Sequence, residues 1–239
     1  IIQHTKHISV LHALKSVLAG FSSGFFTPNR TGEFVGRIMF LEPENRNSGV
    51  TYSVINSLTQ NIIIAICGLP AAIVYFVLLN HSIGNSLQYY FIGILLVFVL
   101  LVVVLFALPH LAKTKIGKQI SSFTKGITSY TKQNFVAILL VSFVRYVVFS
   151  FQFYAMLQFF AVDLEFWQAL LTIPASYLFV TFTPAFAFSE VAIRSSYAVF
   201  FIGAFSNQLV GIALAGIAIW IINFLIPMLL GSIVIINKK

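Results

Sequence analysis

Arg30, Glu33 and Arg37, and far along the chain Glu190 and Arg194, are the residues whose type and spacing carry chemistry. The first three lie in Thr27-Pro28-Asn29-Arg30-Thr31-Gly32-Glu33-Phe34-Val35-Gly36-Arg37, the other two in Thr183-Pro184-Ala185-Phe186-Ala187-Phe188-Ser189-Glu190-Val191-Ala192-Ile193-Arg194. Each stretch opens on Thr-Pro, reaches a glutamate five or six residues after the proline, and meets an arginine four residues after the glutamate. On a helix this spacing gives an i,i+4 Glu/Arg pair. Proline suits the first helical position and threonine can cap it, so Thr27, Pro28, Gly32, Thr183 and Pro184 are expected as cap or hinge residues. Each motif would then present a helix N-terminus with free N–H groups and a partial positive charge. Arginine holds phosphate oxygens through its planar fork. With Arg145, which stands near the middle of a later apolar run, the set Arg30, Glu33, Arg37, Arg145, Glu190 and Arg194 predicts a site for an anionic headgroup such as a phosphodiester. Alternatively, each Glu/Arg pair neutralises itself on its own helix and Arg145 meets a polar neighbour.

These charges stand in an apolar chain. Of 239 residues, 59% are hydrophobic and 8% charged, against about 25% charged in soluble domains. Several apolar runs approach the roughly 20 residues that cross a bilayer. The class expected is an all-α, polytopic helical membrane protein. A charge inside a membrane costs about 2.5–3.5 kcal/mol on insertion scales, so two copies of a charged motif need a purpose. The net charge of +8 does not indicate nucleic acid. Five lysines fall in one segment, 113–132, with no acid among them, as in cytoplasmic loops of membrane proteins. The single cysteine, Cys67, can form no intrachain disulfide.

The elements that must position the charges follow in chain order. Residues 8–26 form an apolar run that breaks at Thr27-Pro28, and a short arm over 31–41 follows. Gly20/Gly24 and Gly32/Gly36 give two GxxxG spacings, which let helices approach closely. The pair is expected as a re-entrant hairpin. Residues 54–79 form a span whose first turns carry Asn56, Ser57, Thr59, Gln60 and Asn61, a density that faces protein or water rather than lipid. Further spans are expected over 89–108, 134–162 and 208–236. Residues 166–182 and 185–205 form a second hairpin around Thr183-Pro184. Within 113–132, Ile116, Ile120, Phe123 and Ile127 recur at helical spacing, which leaves an interfacial helix or a solvated loop open.

The lysines place 111–133 and the C-terminus in the cytoplasm, and the uncharged 80–88 loop and the acidic Asp163/Glu165 loop outside. Three crossings then separate the two Thr-Pro stretches, so they enter from opposite faces. That is an inverted repeat with broken helices meeting near the midplane, a recurring transporter plan. One transmembrane domain over 1–239 is expected, with 1–110 as first repeat, 111–133 as basic linker and 134–239 as second repeat. The chain opens at Ile1 without methionine, and one or more further helices are expected upstream.

No catalytic set accompanies these features. There is no G-x-S-x-G, H-E-x-x-H, Walker loop or Cys/His cluster, and His4, His7 and His12 lack clean ligand spacing. No enzyme activity, metal or cofactor is expected.

Leu11-His12-Ala13-Leu14-Lys15 through Gly24-Phe25-Phe26 and the first Thr-Pro motif to Arg37 resemble the flippase-like family of bacterial and archaeal membrane proteins. Its best-known member domain is the transmembrane half of lysylphosphatidylglycerol synthase, the multiple peptide resistance factor. Members carry a similar Pro-x-Arg-x-Gly-Glu stretch and a later proline-to-glutamate stretch that Pro184 to Glu190 is similar to. The resemblance covers nearly the whole chain, without the family's first one or two helices. Phe186, Ala187 and Phe188 depart from the small residues usual there. The resemblance implies lipid headgroup translocation, with Arg30, Glu33, Arg37 and Glu190 at motif positions. The synthase's aminoacyl-transferase domain is missing, so lipid lysylation is not implied. The function expected is a lipid translocase in the cell inner membrane, handling an anionic or zwitterionic phospholipid or lipid-linked headgroup. The alternatives are a non-transporting scaffold subunit of a lipid- or glycan-modifying system and a small-solute carrier. Membrane lipids are the partners expected, with a second copy of the chain or a lipid-modifying enzyme left open, and no nucleic acid.

Overall fold

The computed structural model describes residues 9–41, 46–78 and 132–237. The expectations for the 89–108 span, the 80–88 loop, the basic 111–133 linker up to residue 131 and the C-terminal lysines lie outside the described residues. Every regular element among those described is helical. We number them α1 (Val10–Phe25), α2 (Gly32–Ile38), α3 (Arg46–Leu78), α4 (Lys132–Phe159), α5 (Phe166–Phe182), α6 (Ala187–Ile202) and α7 (Leu209–Ile236).

Among the described residues three helices are long and apolar enough to cross a membrane: Tyr52–Leu78 of α3, Val136–Phe159 of α4 and Leu209–Ile236 of α7, with 27, 24 and 28 residues. At 1.5 Å per residue each exceeds the roughly 30 Å hydrocarbon core. On α4 the exposed residues Val136, Leu140, Val144, Val148 and Phe151 recur at three and four positions. Such a continuous apolar stripe is a liability in water and ordinary against lipid. On this basis the chain is a helical membrane protein. By contrast α2, with seven residues, spans only about 10 Å, and α5 and α6, with 17 and 16 residues, fall short of the roughly 20 needed.

The core is built around α5. Every residue from Leu171 to Val180 is buried, so this helix is enclosed on all sides. It packs on α3 where Gly68 faces the Pro174 carbonyl and Leu178, with no room for a side chain. It packs on α6 through Phe179, which lies 5.5 Å from Tyr197 and 5.2 Å from Phe201. Its start is set by Glu165, whose backbone N–H donates to Gln168 Oε1 at 3.0 Å, half of a reciprocal cap. The Trp167 indole N–H donates to the Glu165 carboxylate.

The two GxxxG spacings do what their sequence suggests. α1 and α2 lie antiparallel in close contact, with Gly36 against the Ala19 carbonyl and Gly32 against the Ser23 carbonyl. Ser16 Oγ donates to Arg37 O at 2.6 Å across the same seam. On its other side α1 meets α7, where Gly231 faces the Leu18 carbonyl and Ser22 Oγ donates to Met228 O at 2.6 Å.

Two elements differ from expectation. α3 begins at Arg46 rather than near Val54, because the polar residues before Val54 continue the helix instead of forming a loop. α7 is not regular: Ile221–Leu225 form a π-helical turn. Pro227 has no N–H to give the carbonyl four residues back, so the helix widens upstream of it.

Candidate functional site

The site begins in the chain between α1 and α2. Pro28 opens a single 3-10 turn over Pro28–Arg30, and the Thr27 hydroxyl accepts from Gly32 N at 2.7 Å. The Thr27 hydroxyl thus serves the first N–H of α2, although that helix starts at Gly32 with Thr31 before it, and not directly behind Pro28. Between them Asn29 and Arg30 take φ of 49° and 56°. Two successive left-handed residues that are not glycine are uncommon, and such strain persists only where neighbours hold it.

Those neighbours belong to the second motif. Asn29 N donates to Ala185 O at 2.9 Å, and Ala185 N donates to Asn29 Oδ1 at 2.9 Å. The two Thr-Pro segments are thus joined by a reciprocal pair of hydrogen bonds across 156 residues of sequence. The second segment is organised differently from the first. Pro184 lies in an irregular stretch, not at the first turn of α6, which starts only at Ala187. Thr183 does not cap that helix. Its hydroxyl donates back to Phe179 O at 2.7 Å and lies 3.0 Å from Tyr197 Oη. Ser189 takes the capping role instead, with its Oγ accepting from Phe186 N at 3.0 Å.

The charges form one alternating chain. Arg37 Nη2 lies 2.7 Å from Glu33 Oε2, and Arg30 Nη1 lies 3.9 Å from Glu33 Oε1. Arg30 Nη2 lies 2.6 Å from Glu190 Oε2, and Arg194 Nη2 lies 3.1 Å from Glu190 Oε1. The order Arg37–Glu33–Arg30–Glu190–Arg194 crosses between the motifs at Arg30–Glu190. Both i,i+4 pairs form as their spacing predicted, but they are not self-contained, since Arg30 links them. The Arg30 guanidinium also lies 3.8 Å over the Phe224 ring, which the π-turn of α7 presents. Arg194 lies 5.8 Å from the Tyr177 ring centroid. Both are cation–π distances.

Glycines make room for this chain. A Cβ on Gly20 would lie 2.9 Å from Arg37 Cγ, and one on Gly24 would lie 2.6 Å from Glu33 Cγ. Arg37 and Glu33 thus pack along α1 where it has no side chain, with Arg37 Nε and Glu33 Cδ also within 3.2 and 3.6 Å of those Cβ positions.

Arg145 stands apart from the chain. Its Nε donates to Gln60 Oε1 at 2.8 Å, and no carboxylate pairs with it among the described residues. All six charged residues singled out by sequence nevertheless line one cavity of about 1070 Å³. Its charged lining is four arginines against two glutamates, a net charge of +2. The Nε–H groups of Arg30, Arg37 and Arg194 are buried with no hydrogen-bond partner among the described residues. Guanidinium donors are therefore left over after the glutamates are served. α3 supplies a further wall, with Asn56, Ser57, Gln60 and Asn61.

Sequence reasoning missed three contributors. Asn29 was passed over, although its tolerance of left-handed φ just after proline was an available signal. Phe224 gave no signal, because its position depends on a helical irregularity. Gln60 was noted as polar, but its pairing with Arg145 joins two helices and leaves no trace in either.

The fold and site together define a class: a helical membrane protein with a net-cationic cavity where its two Thr-Pro segments meet. Comparison with family models, with curated proteins and with solved structures finds no match for the chain.

Proposed function

We propose that the chain binds the anionic headgroup of a membrane lipid in this cavity and carries it across the bilayer. One observation carries the proposal: a net charge of +2 on the lining, in a chain whose composition offers few charges to spend. A cationic cavity at membrane depth is costly while empty, and an anion relieves that cost. Arg145, which has no carboxylate partner among the described residues, is the first contact. The guanidinium groups of Arg30, Arg37 and Arg194 follow, as the headgroup competes with Glu33 and Glu190 for their Nη ends.

The two Thr-Pro segments, read as re-entrant hairpins of an inverted repeat, give the route. They meet at Asn29 and Ala185, and a headgroup that competes for Arg30 loosens Glu190 and with it the junction. Irregular backbone at that depth is tolerated only where it lines a cavity or is buried in protein. The resemblance to the flippase-like family points the same way. For the topology, single cysteines at the open ends of the two hairpins, Ser9 and Asn207, both exposed and away from the Asn29–Ala185 junction, are expected to label from opposite sides of the membrane in a Cys67→Ala background. Labelling of both from one side only overturns the inverted arrangement.

The function is tested in reconstituted vesicles with a fluorescent phosphodiester lipid. Transbilayer movement is expected at least tenfold above protein-free vesicles. Arg145→Gln and Arg37→Ala are expected to bring it near that background, with Glu33→Gln intermediate. Movement at background for the wild type removes the transport claim. Unchanged movement in all three variants removes the site.

A further inference from the structure

The wall that α3 gives the cavity carries a run of neutral polar side chains. Ser53, Asn56, Ser57, Gln60 and Asn61 all lie on α3 and all line the cavity. Their spacing of three and four places them on one face, over about 12 Å of helix. That is longer than a single phosphate group needs. The side chains of Ser53, Asn56, Ser57 and Asn61 hydrogen-bond to no described residue, and Gln60 uses only its Oε1, on Arg145. Carboxamides and hydroxyls offer donor and acceptor together, whereas the arginines only donate and the ionised glutamates only accept. Polar groups inside a membrane protein are costly and call for partners.

Resting on the reading of the cavity as an anion site, we infer that this α3 face is a hydroxyl-recognition subsite. The ligand is then a phosphate ester bearing a polyol, such as glycerol or a sugar, rather than one bearing an ammonium group. A hydroxyl is donor and acceptor at once, and a carboxamide matches both. Gln60 fixes the register by joining the two subsites: its Oε1 holds Arg145, and its amide nitrogen remains for the first hydroxyl beyond the phosphate. An ammonium group is disfavoured twice. It meets a net positive lining, and both glutamates there are already held by arginines.

The test compares ligands that share the phosphate charge and differ in hydroxyls. The full chain in phosphatidylcholine nanodiscs is titrated with dioctanoyl phosphatidylglycerol and with dioctanoyl phosphatidylmethanol. A soluble pair, glycerol 3-phosphate and methyl phosphate, is titrated in parallel. Within at least one pair the glycerol ester is expected to bind about tenfold more tightly. A preference seen only with the lipids assigns the source as a headgroup, and one shared by the soluble pair assigns a free phosphate ester; either supports the inference. The double variant Asn56→Ala/Asn61→Ala should bring the preferred pair within twofold while leaving the methyl ester unchanged. Asn61→Asp, which supplies a free carboxylate, should weaken both lipid anions and admit phosphatidylethanolamine, a gain that misfolding cannot produce. Equal affinity within both pairs, or an undiminished preference in the double variant, overturns the hydroxyl subsite while the anion site stands. Failure of all four anions to bind the wild type overturns the anion site and the inference with it.

Discussion

At the scale of single residues, Arg30 and Asn29 carry the junction. Arg30 touches both glutamates and the Phe224 ring, so its removal leaves Glu190 with Arg194 alone. A double-mutant cycle on Arg30→Ala and Glu190→Ala, read by thermal unfolding in detergent, should give a coupling of about 1–3 kcal/mol. Coupling near zero would mean that the crossing pair is incidental. Asn29 contributes both a side-chain acceptor and a tolerated left-handed φ. Asn29→Ala should cost about 2–3 kcal/mol, from the unsatisfied Ala185 N–H and the backbone together. Asn29→Gly should cost roughly 1 kcal/mol less, since glycine removes only the backbone part. Equal losses would show that the φ value is not strained. The charged members of the site were legible from sequence because charges are so scarce in this chain. Asn29 was not, since its value depends on a partner 156 residues away.

At the scale of elements, the α1–α2 seam sets where the charges sit. Gly24→Ala places a methyl group 2.6 Å from the present position of Glu33 Cγ. Overpacking of this kind costs about 1–3 kcal/mol, and here it also moves a site carboxylate. The expected result is a drop in anion affinity larger than that of Gly68→Ala. That control overpacks α3 against α5 by a similar amount and lies outside the cavity lining. Equal effects would mean that the seam matters only for stability. The π-turn is the second lever. Deleting one residue from Ile221–Leu225 should restore a regular helix and rotate Phe224 away from Arg30, seen as a red-edge shift in Trp220 fluorescence and a loss of stability. GxxxG spacing made the seam readable in advance. The π-turn was not readable, because Pro227 predicts a disturbance without its form. The second Thr-Pro copy misled, since its similarity to the first concealed that Ser189, not Thr183, caps α6.

At the scale of the whole molecule, the apolar spans followed from length and hydropathy, which are properties of each segment alone. The cavity did not, because it exists only where all seven helices, α1 to α7, converge. Raising ionic strength from 50 to 500 mM should weaken anion binding by less than threefold if the cavity is shielded from bulk salt, since buried charges are screened little. A weakening beyond tenfold would place the arginines in open water. The Arg30–Glu190 contact adds a condition on synthesis. Arg30 leaves the ribosome long before its counter-charge, and 160 residues at 5–20 residues per second take roughly ten to thirty seconds. During that interval only Glu33 and Arg37 of the network have been made, and the looser 3.9 Å approach of Arg30 to Glu33 is the neutralisation the nascent chain has to hand. Glu33 is thus the one carboxylate of the network available to Arg30 until Glu190 is translated.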